Sequence, residues 1–231
     1  YYTLHTDGED KLKAYKKSED YFEQAYETLK KNKEEIPDDL YYNLNNTRYI
    51  IAGEEKNNKM RQNELYDKAL EGMLELRSNP VYRIHPAVEY LLGMIYYKKG
   101  FLDEAEQKLY NVTEYYQEEL DGFIRNPKPL SVRQNKILYL NAIVYNNLGN
   151  IYNSMAIRNN DQNFIQKARI DFYKAMELGS RYNNTHILAL SKLNLQDSIF
   201  QDNVRYIENF RVGNRETYLY DFTPKYLGEY E

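Results

Sequence analysis

His5, His85 and His186 are the imidazoles this 231-residue chain could use for proton transfer or metal binding. A helical metal site needs ligands spaced so that both reach one ion from the same face. No HxxxH or HxxE spacing surrounds any of the three histidines, and the chain has no cysteine. Thiolate metal sites, disulfides and cysteine nucleophiles are therefore excluded together. There is also no glycine-rich phosphate loop and no G-x-S-x-G turn to expose a nucleophilic serine. The acidic pairs Asp38-Asp39 and Glu118-Glu119 fall where helices are expected to end, and solvated charge is the ordinary role there. The expectation is a chain without catalysis, cofactor or metal.

Composition narrows the partners. Hydrophobic residues make up 42% and charged residues 29%, with net charge −4 and the two signs interleaved. That is the range of a folded globular or repeat protein. No basic patch interleaved with aromatics occurs, so nucleic acid is not an expected partner. No apolar run approaches the ~18 residues of a membrane span, so no direct membrane insertion is expected. The chain begins at Tyr1 rather than Met, which points to a piece of a longer protein.

The elements that position any functional side chain are helices. Helical period runs from Lys11 to Phe200, and strand-like alternation is scarce before the last thirty or so residues. Pro37 and Pro86 suit the first turn of a helix, where a missing N–H costs nothing. Ser131 with Gln134 has capping-box spacing after the breaker Asn126-Pro127-Lys128-Pro129. Asn79-Pro80 and Gly179-Ser180 are expected to end two further helices. Within this framework a small residue is followed by a large apolar one four on and another small or apolar one three further. The sets are Ser18, Phe22, Ala25; Ala69, Met73, Leu76; Ala105, Leu109, Val112; and Ala168, Phe172, Ala175. Tyr15, Tyr66, Leu102 and Ile165 stand three before the small residues, on the same helical face. Upstream of the last two sets come Leu92-Gly93 with Tyr96 and Leu148-Gly149 with Tyr152. A mid-helix glycine costs roughly 1 kcal/mol relative to alanine, so a recurring one signals close approach of a second helix.

The stretch Glu89 to Val112, EYLLGMIYYKKGFLDEAEQKLYNV, resembles the tetratricopeptide repeat (TPR). Leu92, Gly93 and Tyr96 match its first helix, Gly100 the turn, and Ala105 and Leu109 the second helix. The resemblance implies an all-α fold, a right-handed superhelix of antiparallel helical hairpins, in which Gly93 packs closely against Ala105. The family's tryptophan is absent, with Glu89 and Tyr145 in its place. Asn159-Asn160-Asp161-Gln162-Asn163 lengthens one turn. Small residues recur at spacings of 51, 36 and 63, against a family period of about 34, so longer helices or loops must absorb the excess. The expected organisation is a leading segment at 1–10, a TPR-like helical domain at 11–200 and a non-helical tail at 201–231. The tail alternates aromatics at Tyr218, Tyr220 and Phe222 with breakers Pro224 and Gly228. It could cap the last repeat, bind a neighbour or lead into a further domain.

In such a superhelix, first-helix residues pointing away from the second helix line a concave groove. The register from Gly93 assigns Tyr90, Met94 and Tyr97 to it, and that from Gly149 assigns Asn146, Asn150 and Asn153. By analogy an earlier helix adds Tyr42, Asn46 and Tyr49. Asparagine amides both donate and accept, and tyrosines give broad contact with few rotors. These residues also have an intramolecular reading, because Asn, Lys, Tyr and Ile are abundant throughout the chain. Lysines that hold a partner's C-terminal carboxylate in some family members are replaced here by Tyr42, Tyr90 and Asn146, so that activity is not expected.

The resemblance implies a non-enzymatic protein–protein interaction scaffold, with other proteins or peptides as partners, further copies of the chain included. The alternative is a regulatory TPR module of a longer chain whose enzymatic or chaperone-linked domain lies elsewhere. The Asn/Lys/Tyr-rich composition resembles that of low-GC bacteria, spirochaetes among them, whose periplasmic flagellar motor carries a collar built partly from TPR proteins. That likeness implies a bacterial flagellar or envelope assembly and favours the periplasm.

Overall fold

The structure, a computed structural model, describes residues 8–125, 131–181 and 187–195. Among these every regular element is helical. In chain order they are α1 (Gly8–Asn32), α2 (Asp38–Glu54), α3 (Lys59–Ser78), a 3-10 turn (Pro80–Tyr82), α4 (Pro86–Lys99), α5 (Leu102–Tyr115), α6 (Gln117–Arg125), α7 (Val132–Asn159), α8 (Gln162–Arg181) and α9 (187–195). The chain falls into two compact units, one ending its helical part at Gly100 and the other beginning at Phe101. The tail expected at 201–231, with its aromatic alternation, lies outside the described residues, as do His5, His186 and the breaker around Pro127. α1 begins within the segment expected to lead into the helices.

Neighbouring helices pack in pairs. In the first unit α1 packs on α2, α2 on α3 and α3 on α4, and α2 also touches α4. In the second, α7 packs on α8 and on α5, and α5 meets α6. Residues 55–58 join α2 to α3, and residues 160–161 join α7 to α8. Connections this short force the packed helices to run antiparallel.

The local signals act as their chemistry dictates. Gln134 N–H donates to Ser131 Oγ at 3.2 Å, and Ser131 N–H donates to Gln134 Oε1 at 2.8 Å, completing the capping box of α7. Pro86 is the first residue of α4, and Pro37 stands at the N-cap of α2. The His85 side chain also serves as a cap, its Nδ1 accepting from Ala87 N–H at 3.3 Å. Gly100 ends α4 at φ 81°, and its N–H reaches Tyr97 O at 3.0 Å. Asn160 plays that part for α7 at φ 51°, a backbone region asparagine tolerates better than most residues.

The second-helix pattern is buried in α3, α5 and α8. In α1 it is not: Ala25 is exposed, and Ser18 and Phe22 are only half-buried. Gly179-Ser180 does not end its helix as expected, for α8 runs on to Arg181. A β-carbon on Gly179 would stand 3.2 Å from Ile187 Cγ2, so the glycine serves a close approach rather than a stop. The excess spacing between Ala105 and Ala168 is absorbed partly by the added helix α6 and partly by the 28 residues of α7.

Candidate interaction surface

The groove is expected along the helices that the repeat resemblance makes first in their hairpins, α2, α4 and α7. Two of these have long stretches enclosed on every side: residues 85–95 around α4 and residues 140–153 of α7 are all buried. A helix buried all round offers no open face. Tyr90 and Met94 are accordingly fully buried in α4, and Asn146, Asn150 and Asn153 are buried in α7. Tyr42, Asn46 and Tyr49 are buried in α2 as well. Tyr97 is half-buried. The expectation of an open groove along these nine side chains is therefore corrected. Eight of them lie inside the folded chain.

What they touch gives the reason. The Tyr49 ring lies 5.9 Å from that of Tyr66, so Tyr49 faces α3, its own hairpin partner. Asn146 Oδ1 accepts from Ser191 Oγ at 3.1 Å and from Asn194 Nδ2 at 3.0 Å, both on α9. That amide joins successive helices of the chain. Asn46 and Asn153 differ, since the Oδ1 of each is buried and accepts no hydrogen bond.

The second unit holds a polar interior that sequence reasoning missed. Tyr152 donates to Glu106 Oε1 at 2.6 Å, tying α7 to α5. Asp171 on α8 lies nearby, paired with Lys174 Nζ at 3.5 Å. Burial pushes the Asp171 carboxyl up from the usual 3.8 to about 6, against the pull of Lys174. Burial and then the Glu106 carboxylate raise the Tyr152 hydroxyl, so it stays a donor. The Lys174 ammonium sits 4.7 Å from the centre of the Tyr145 ring, and that of Lys167 sits 5.2 Å from the Tyr152 ring. Charge on one helix face is ordinarily solvated, and only the packing of α5, α7 and α8 draws these groups together.

In the first unit, Glu89 stands where the family has tryptophan and is fully buried, paired with Arg77 of α3. Large apolar or aromatic side chains that remain exposed include Tyr110 and Tyr115 on α5 and Ile170 and Tyr173 on α8. Among the described residues no group of three or more histidines and carboxylates gathers to hold a metal ion. None of the described helices is long and apolar enough to cross a membrane. No family model matches the chain, and no curated protein or solved structure is detectably similar to it.

Proposed function

We propose that the chain is a non-enzymatic interaction scaffold, a TPR-like superhelix of antiparallel hairpins that binds other proteins through apolar and aromatic side chains its second helices leave exposed. The observation that carries this reading is the exposure of Ile170 and Tyr173 on α8 and of Tyr110 on α5, while the first helices are enclosed. Aromatic side chains at the centre of an interface often contribute about 2 kcal/mol or more, and these are open to a partner. The pairwise packing of the helices and the contact of α2 with α4 support the repeat reading, because stacking brings successive first helices together. The composition directs the search for a partner to a bacterial envelope or flagellar assembly.

The test is chemical crosslinking of the full-length protein in its own cells, followed by capture of the linked partner with Ile170→Ala/Tyr173→Ala and with Tyr110→Ala. All three side chains are at least half exposed, so their loss leaves the core intact. The free variants should melt close to the wild-type temperature, while capture of the partner falls. Unchanged capture by both variants would refute the surface reading.

A further inference from the structure

Between α1, α2 and the C-terminal end of α3 lies a cavity of about 240 Å³, lined by Tyr26, Ile36, Asp38, Tyr41, Glu75 and Leu76 among others. The Tyr26 and Tyr41 rings stack with centroids 5.5 Å apart and planes 18° from parallel. The Tyr41 hydroxyl donates to Glu75, and burial, then that carboxylate, raises it above its ordinary value so that it remains a donor. Asp38 and Glu75 line the cavity, and among the described residues neither forms an ion pair with a lysine or arginine. The nearby Lys30 ammonium lies 5.4 Å from the Tyr26 ring centre instead.

The sign of this environment follows from its parts. Two carboxylates, the negative end of the α3 dipole and the electron-rich faces of two phenol rings all favour a cation. The positive end of α2 and the Lys30 ammonium over the Tyr26 ring oppose them, but Asp38 and Asp39 in the first turn of α2 offset the helix end. Size decides the kind of cation. Pockets for whole metabolites run from about 300 to 1,000 Å³, so 240 Å³ suits a single side chain. A planar guanidinium can stack on tyrosine and fork onto a carboxylate, which an ammonium cannot do.

We infer that this cavity seats an arginine side chain of a protein partner, an inference that rests on the scaffold reading above. The full chain, carrying ¹³C-labelled tyrosine rings, is titrated with N-acetyl-arginine amide, its neutral isostere N-acetyl-citrulline amide, and choline. Arginine amide should shift the Tyr26 and Tyr41 signals and bind at least tenfold more tightly than citrulline amide. Asp38→Asn and Glu75→Gln should each weaken it severalfold in variants that still unfold in one cooperative transition. Citrulline binding as tightly as arginine, or no shift at the two rings, would overturn the assignment. Choline binding as tightly as arginine would overturn it too, turning the cavity into a site for small quaternary cations. If arginine fails here while the Ile170→Ala/Tyr173→Ala variant still loses its partner, the scaffold reading stands and this assignment alone falls.

Discussion

A β-carbon added to Gly149 would stand 2.6 Å from Phe172 Cδ1, and the ring is fully buried with nowhere to retreat. Alanine should gain roughly 1 kcal/mol from helix propensity and lose about 1–3 kcal/mol to overpacking. Gly149→Ala should therefore destabilise the chain in urea melts, and Gly149→Ala combined with Phe172→Leu should recover part of the loss. A stabilising Gly149→Ala would show that the ring has room. Gly72 obeys the same rule, since a β-carbon there would collide with the Asn45 amide. Asp171 carries a different kind of constraint. Its carboxyl is raised from 3.8 to about 6 in the folded chain, so between those values the folded state holds a proton that the unfolded state has released. Stability falls as pH rises through that window, and about 3 kcal/mol is lost above it. Asp171→Asn should flatten the change in melting temperature between pH 4 and 7 and should raise stability at pH 7. A variant less stable than wild type at pH 7 would mean that the Lys174 pair outweighs burial.

Helices and their ends were largely legible from sequence, because their signals act within one turn. Ser131 and Gln134 are three residues apart, and each satisfies the other's backbone N–H wherever α7 lies. The packed faces of α3, α5 and α8 were legible for a related reason, since their small residues lie one helical turn from the large ones beside them. α1 carries the same pattern but packs mainly on α2 among the described residues, so part of that face stays wet. The burial of α4 was also visible, as Glu89 is its one charged residue before Lys98, yet the repeat analogy assigned Tyr90 and Met94 to an open groove. What could not be read was the pairing of Glu89 with Arg77. Arg77 lies twelve residues away on α3, and only tertiary packing brings the two together. Arg77→Ala removes a cationic partner of a buried carboxylate, which should cost about 3 kcal/mol. Arg77→Ala with Glu89→Gln should cost less than the single change. Equal loss in both would show that Arg77 acts through its aliphatic stem rather than its charge.

At the scale of the molecule, the positions that an open superhelix would offer to a partner are largely consumed within this chain. Tyr90 is fully enclosed and Tyr97 half-exposed, so the two should part company on truncation. Tyr90→Ala leaves a cavity the size of a phenol and should cost about 3–5 kcal/mol of stability. Tyr97→Ala should cost far less. Surface loss is a separate matter. Ile170 and Tyr173 on α8 are 55% and 58% exposed, and their joint replacement by alanine should change stability by no more than ~1 kcal/mol. Their effect on assembly discriminates between two surfaces, because aromatic groups at the centre of an interface often contribute 2 kcal/mol or more. If partners bind through this face of α8, the Ile170→Ala/Tyr173→Ala variant loses its complex while it keeps its fold. Sedimentation of the crosslinked assembly reads the outcome directly. A folded α8 variant that keeps its partner would take recognition off this face, leaving α8 to hold its hairpin together.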